Sequence, residues 1–187
     1  MKVIAGLAKG KVLRFPNLSK DKRLRPLTGR AKEALFNILA AKNPGARFLD
    51  LFSGTGSVGI EALSRGANLA IFVEFDRKIV QTLRENLAIT GFSDRAEVYC
   101  LDVIKAVKVI DKAKGKFDIV FIGAPSGSPA LEETLKAISG TEMIEQDGVI
   151  VAEHSVRDKI SDSYGKLKKT RDCRYGDTVL SFYSAED

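Results

Sequence analysis

The 187-residue sequence has no tryptophan, one histidine and two cysteines, and only 7% of it is aromatic. Cys100 and Cys173 are too few for a disulfide framework and lie at no zinc-binding spacing, so a metal scaffold and a secreted mini-protein are excluded and a reducing cytoplasm is expected. The single histidine, His154, has no acid and nucleophile at a recognisable spacing, and it reads as a packing or hydrogen-bonding group rather than a general base. No long apolar run, lipid-anchoring segment or secretory signal is visible, so no membrane association is expected. Internal repeats and low-complexity tracts are also missing, which leaves an ordinary globular chain.

A chain of this length suits one domain with a small appendage. Its net charge of +6 is unevenly spread, because residues 1–32 carry ten Lys or Arg against one acid. The remainder is slightly acidic. Such asymmetry points to nucleic acid or an anionic surface as partner, with nucleic acid favoured by the lack of any membrane anchor. The candidate contacts are Lys9, Lys11, Arg23, Arg25 and Arg30. The alternative for the arginines is a solvated surface, against which stands the near absence of counter-charge from Lys20 to Arg25.

The chain is organised around Phe48-Leu-Asp-Leu-Phe-Ser-Gly-Thr-Gly-Ser-Val-Gly59, followed by an amphipathic run to Leu63. The apolar part predicts a buried strand, and Gly54, Gly56 and Gly59 predict a tight turn into a helix. These glycines match the pattern of dinucleotide sites, where amides at a helix N-terminus hold a pyrophosphate. Asp50, at the strand end, would repel a pyrophosphate but suits a ligand with a cationic amine, such as S-adenosylmethionine. Twenty positions after Gly54, the run from Leu69 ends in Glu74, where a strand-end acid accepts from ribose hydroxyls. Glu74 alone does not separate NAD from S-adenosylmethionine. The plainer alternative is that the glycines serve only the turn and Glu74 caps the next helix.

Around this loop, residues 2–15 predict a hairpin outside the main sheet, and Thr28 is a plausible N-cap for a helix with Ala31, Ala34, Leu35, Ile38 and Leu39 on its core face. Alternating strands and helices follow, with strands at Ala96–Cys100, Phe117–Ile122 and Val149–His154, the mark of a parallel sheet. Asp102 either meets the exocyclic amine of adenine or caps the following helix. Lys168–Arg174 and Thr178–Tyr183 predict an antiparallel hairpin whose Tyr175-Gly176-Asp177 turn lies on the ligand face. Lys166, Lys168, Lys169, Arg171 and Arg174 form a second basic cluster.

Arg25-Pro26, Arg30-Ala-Lys-Glu-Ala-Leu-Phe-Asn37, Leu49-Asp-Leu-Phe-Ser-Gly-Thr-Gly56, Val73-Glu74, Glu153-His-Ser155 and Tyr175-Gly-Asp-Thr178 together resemble the RsmD-type methyltransferases, which methylate a guanine N2 in small-subunit ribosomal RNA. The likeness covers nearly the whole chain. It implies a seven-stranded Rossmann-like class I methyltransferase sheet within 28–187, an RNA-facing basic extension at 1–27, and ribosomal RNA or the small ribosomal subunit as partner; separately, a monomer is expected. It also implies S-adenosylmethionine held by Asp50, Phe52, Ser53, Gly54, Gly56, Glu74 and Asp102. The departure lies after the fourth strand, where the family's Asp-Pro-Pro-Tyr reads Gly123, Ala124, Pro125 and Ser126. The acid that orients the amine and the ring that stacks on the flipped base are both missing, leaving the Ala124 carbonyl as one acceptor. Two other readings stay open: an RNA-binding or assembly protein that has lost transfer, and a nicotinamide-dependent oxidoreductase disfavoured by Asp50.

Overall fold

In the computed structural model, which describes residues 1–16 and 26–186, the strands are β1 (Arg47–Leu51), β2 (Leu69–Glu74), β3 (Ala96–Cys100), β4 (Phe117–Ile122), β5 (Ile144–Ser155), β6 (Ser163–Tyr164), β7 (Leu167–Tyr175) and β8 (Thr178–Ala185). The helices are α1 (Gly29–Ile38), α2 (Ser57–Ser64), α3 (Arg77–Thr90), α4 (Val103–Ala113) and α5 (Ala130–Ser139). All eight strands join one sheet of order β3-β2-β1-β4-β5-β8-β7-β6. The first five are parallel and the C-terminal three run as antiparallel hairpins. This is the expected α/β class; the strand beyond seven is the two-residue β6.

The central strands are apolar throughout because both faces of the sheet are covered. Alternate residues divide between two cores. Phe48, Phe72, Ile119, Phe121 and Val151 pack beneath α1, α2 and the N-terminal segment. Leu49, Leu51, Ile71, Val120 and Ile150 pack beneath α4 and α5. The Tyr175-Gly-Asp177 turn lies at the carboxyl ends of the parallel strands, as expected, since β7 runs antiparallel to β8 and therefore parallel to β5.

The N-terminal segment lies outside the main sheet, as expected, but is barely a hairpin and packs into the core. Its arms share only one isolated antiparallel bridge, Lys2 to Val12. Val3, Ala8 and Leu13 are buried in the same core as Leu35 and Phe48. The segment lies over the outer face of α2, so all eight α2 residues are buried and the helix has no solvent face. Glu61, fully buried on that face, accepts from the backbone N–H groups of Ile4 (2.8 Å) and Ala5 (2.9 Å) and from Arg65 Nε at 2.8 Å.

Lys32 completes this cluster. It reads as a surface cation in the sequence, yet it is buried at 1% exposure, 3.3 Å from Glu61, and donates to Ser57 Oγ at 3.0 Å. Burial lowers its pKa against the opposing pull of Glu61. α1 therefore buries Ala31, Lys32, Leu35 and Phe36, while Ala34 and Ile38 are half-exposed.

Removing one member of a buried ion pair strands the other, at a typical cost of 3–5 kcal/mol. Glu61→Ala is therefore expected to lower the unfolding free energy by roughly 3–5 kcal/mol in urea titration. Lys32→Met/Glu61→Gln should recover part of that loss. A Glu61→Ala change within about 0.5 kcal/mol of the parent, the range of an ordinary surface substitution, contradicts this account.

Candidate functional site

β1 sends the chain to β2 on one side, while its other neighbour is β4. The carboxyl ends of strands at such a reversal splay apart and open a crevice. An open cleft of about 1020 Å³, including the solvent space at its mouth, lies there. The loop after β1 forms its floor. Gly54 and Gly56 have left-handed backbones, at φ 53° and 84°. A Cβ on Gly56 would stand 2.2 Å from Leu83 Cδ1 of α3, and one on Gly59 would stand 2.3 Å from the Phe72 ring, so α2 lies this close to the sheet only because Gly59 lacks a side chain.

Asp50 is 1% exposed and its Oδ2 accepts the Gly59 N–H at 2.9 Å. α2 has Gly56 at its N-cap, which offers no side chain, so Asp50 supplies the missing capping acceptor from the adjacent strand. Glu74 accepts the Gly54 N–H at 3.1 Å and the Asp76 N–H at 3.0 Å, one on each oxygen. It does not cap the next helix. Asp76 does, accepting from Lys78 and Ile79 N–H. Each Glu74 oxygen keeps a second lone pair for further donors.

Charge among the described residues of this cleft has one sign. Among its described lining residues are Asp50, Glu74, Asp76, Asp102 and Glu153, and no lysine, arginine or histidine. Burial pushes Asp50 up to about 7, aided by the charges of Glu74 and Glu153 and opposed by the Gly59 hydrogen bond. Burial also pushes Glu153 up to about 7 and raises Glu74. Such a cavity repels phosphates and gains by admitting a cation.

Of the other cofactor candidates, Phe52 and Ser53 line the cleft. Phe52 adopts φ 61°, a strained backbone for a bulky residue, and Ser53 Oγ donates to the Val73 carbonyl at 3.1 Å. Asp102 is both a lining residue and the N-cap of α4, accepting from Lys105 N–H at 3.2 Å. After β4, Gly123 and Pro125 reach the cleft. Ala124 packs against the opposite core, and Ser126 is exposed and bonds Asp158 at 3.1 Å.

The described basic candidates, Lys9, Lys11 and Arg30, are not brought together. Arg30, in the first turn of α1, is exposed and follows Pro26 and Leu27 at the cleft mouth. Lys9 and Lys11 sit at the opposite end of the molecule: the segment around Lys9 is bound to Ser64 at the end of α2, and Lys11 Nζ donates to the Ile89 carbonyl near the end of α3. Arg23 and Arg25 lie outside the described residues. In the second basic cluster, Lys166 pairs with Glu142 and Lys169 with Asp162, both at 2.6 Å. His154 hydrogen-bonds Ser181 Oγ at 2.8 Å, a structural role of the kind expected.

The cleft also holds groups to which sequence reasoning gave no role. Glu153 faces it from β5, Phe75 (60% exposed) follows Glu74, and Phe15 stands at the mouth. Phe75 carried a signal, an aromatic directly after the strand-end acid. Glu153 stood in a segment shared with the resembled family, but only the pairing of β4 with β5 brings it to the site.

Residues 1–184 match the family model described as conserved hypothetical protein 95. The YlbH protein of Bacillus subtilis (strain 168) is 37% identical over 183 residues, 98% of each chain. Ribosomal RNA small subunit methyltransferase D of Escherichia coli (strain K12) is 30% identical over 186 residues, 100% of this chain and 90% of that one. The solved structure of yhhF from Escherichia coli superposes with a TM-score of 0.84 at 31% identity, covering 100% of this chain and 98% of the other.

The raised Asp50 carboxyl has a stability consequence of definite sign. Between the ordinary carboxyl value near 4 and the folded value of about 7, the native state holds a proton that the unfolded chain has lost, so stability falls as pH rises through this window. Asp50→Asn keeps an acceptor for Gly59 N–H and removes the titration. Thermal or urea unfolding should show the variant close to the parent near pH 4 and more stable at pH 8 by roughly 1–4 kcal/mol. A variant less stable than the parent at pH 8 contradicts the burial argument.

Proposed function

The chain belongs to the RsmD-type methyltransferase family, and from that premise we propose that it transfers the methyl group of S-adenosylmethionine to the exocyclic N2 amine of a guanine in small-subunit ribosomal RNA. The observation that carries the cofactor reading is a cleft built on a glycine loop whose charged residues, among those described, are all acidic. A pyrophosphate-bearing nicotinamide cofactor would enter a field of its own sign, whereas S-adenosylmethionine brings an ammonium and a sulfonium.

The residues present fit that ligand. Asp50 would take the α-ammonium, the second lone pairs of Glu74 would take the ribose hydroxyls, and the Phe75 ring and Asp102 would flank the adenine. Phe52, Ser53, Gly54 and Gly56 would shape the floor beneath the methionine part. The bound sulfonium supplies an already reactive methyl group, so the protein's task is to position the acceptor amine and exclude water.

An acidic cleft cannot hold the RNA backbone, so the phosphates must be met around its rim. Arg30 with the basic run containing Arg23 and Arg25 is the proposed contact. Lys9 and Lys11 would meet only an RNA that extends to the far end of α2 and α3. Residues 1–27 would thus serve RNA recognition while their first part shares the methyltransferase core. A ribosomal RNA or small-subunit substrate implies a cytoplasmic site of action. Among the described residues, no helix is long and apolar enough to cross a membrane.

Calorimetry with S-adenosylhomocysteine tests the pocket. Its affinity should fall as pH drops below about 7, because protonating Asp50 removes the ammonium's partner. Asp50→Asn and Glu74→Ala should each weaken binding about tenfold or more, the loss of a charge-assisted hydrogen bond of roughly 1.5–3 kcal/mol. Unchanged affinity in both variants, or tighter binding of NAD, rejects the pocket assignment.

Mass spectrometry of small-subunit ribosomal RNA, from cells with and without this protein, tests the reaction. One N2-methylguanine should disappear with the protein. An unchanged methylation pattern would favour an assembly factor that has lost transfer, the reading invited by Gly123 to Ser126.

A further inference from the structure

The family's amine-orienting acid is replaced by Gly123, yet the position beside it is not empty of carboxylate. β4 and β5 pair in parallel through Phe121 with Val151 and Ile122 with Ala152, so the next step of the register sets Gly123 beside Glu153. Adjacent parallel strands lie about 4.8 Å apart, and residues in step point to the same face. A Cβ built on Gly123 would stand 3.6 Å from Glu153 Oε2. Both residues line the cleft, on the face that carries Asp50.

Resting on the methyltransferase reading above, the geometry points to Glu153 as the catalytic carboxylate of this chain, accepting from the guanine amine in place of the side chain that Gly123 lacks. Gly123 then has a positive role: it leaves open the space through which the longer Glu153 side chain reaches from the neighbouring strand.

The step balances. The amine nitrogen uses its electron pair to form the bond to the methyl carbon, and the sulfur–methyl bond breaks with both electrons remaining on sulfur. The extra proton on nitrogen passes to the Glu153 carboxylate, so one cation and one anion become neutral products. Burial holds Glu153 at about 7, where it can accept this proton and return it to solvent at neutral pH. Only the ionised form accepts, so transfer must rise with pH through that value.

The test uses the purified protein with S-adenosylmethionine and small ribosomal subunits from cells lacking this protein. In the parent, kcat should climb to a plateau above about pH 7. Glu153→Gln should lower kcat about tenfold or more and remove that limb, while S-adenosylhomocysteine affinity at pH 8 stays within about twofold. Gly123→Asp/Glu153→Ala, which moves the carboxylate across the pair, should recover part of the activity lost in Glu153→Ala; the Phe121 ring, 3.1 Å from the new Cβ, must shift by a few tenths of an ångström.

A readout without ligands is the carboxyl ¹³C titration of Glu153. Its midpoint near 7 should move upward in Gly123→Asp as a second carboxylate arrives alongside. If Glu153→Gln keeps the parent's kcat and pH limb, the inference is overturned while the methyltransferase reading stands. If the parent transfers no methyl group to any subunit, both fall.

Discussion

The hydrogen bond from Gly59 N–H to Asp50 carries more of this structure than its 2.9 Å suggests. It caps a helix whose own N-cap residue, Gly56, has no side chain, and it brings that helix into contact with the strand end. The contact admits no Cβ at residue 59. Once made, it fixes the loop between strand and helix, including the strained Phe52, and leaves a carboxylate facing the cleft in a place water scarcely reaches. An acid so placed is held against its solvation preference, and a cationic ligand relieves that tension. Architecture and the proposed ligand chemistry thus follow from one contact.

The same helix is fixed from behind. α2 is buried on all sides because the N-terminal segment covers it, and Glu61 can be buried there because Lys32, Arg65 and two backbone amides neutralise it. The glycine loop is therefore clamped between a carboxylate in front and an ion cluster behind. The N-terminal segment thereby also stiffens the floor of the proposed site.

Much of this was legible in the sequence, for physical reasons. Strand, glycine turn, helix and strand-end acid are local features, and the structure places Asp50, Gly54 and Glu74 around one cleft, with Gly56 as the N-cap of the helix behind it. The doubly wound sheet and terminal hairpin follow from hydrophobic patterning, which a two-residue strand such as β6 is too short to display. Long-range pairing was hidden. Lys32 counts as a surface cation until Glu61, 29 positions away, is found beside it. Charge counting overstated the free basic surface for the same reason, since Arg14 pairs with Glu85 and Lys11 with a helix end. Reading Gly123 to Ser126 as a loss likewise followed the chain, whereas the carboxylate next to Gly123 comes from a different strand.

Ligand-side chemistry tests the central claim that the buried Asp50 carboxylate recognises a cationic amine. Calorimetry at pH 8 should compare S-adenosylhomocysteine with its analogue lacking the α-amino group, on the parent and on Asp50→Asn. A direct pairing makes the two losses non-additive. The parent should favour the amine-bearing ligand by about tenfold or more, and the variant should barely distinguish the two. Equal affinity of the parent for both ligands, or an undiminished preference in Asp50→Asn, would contradict the account.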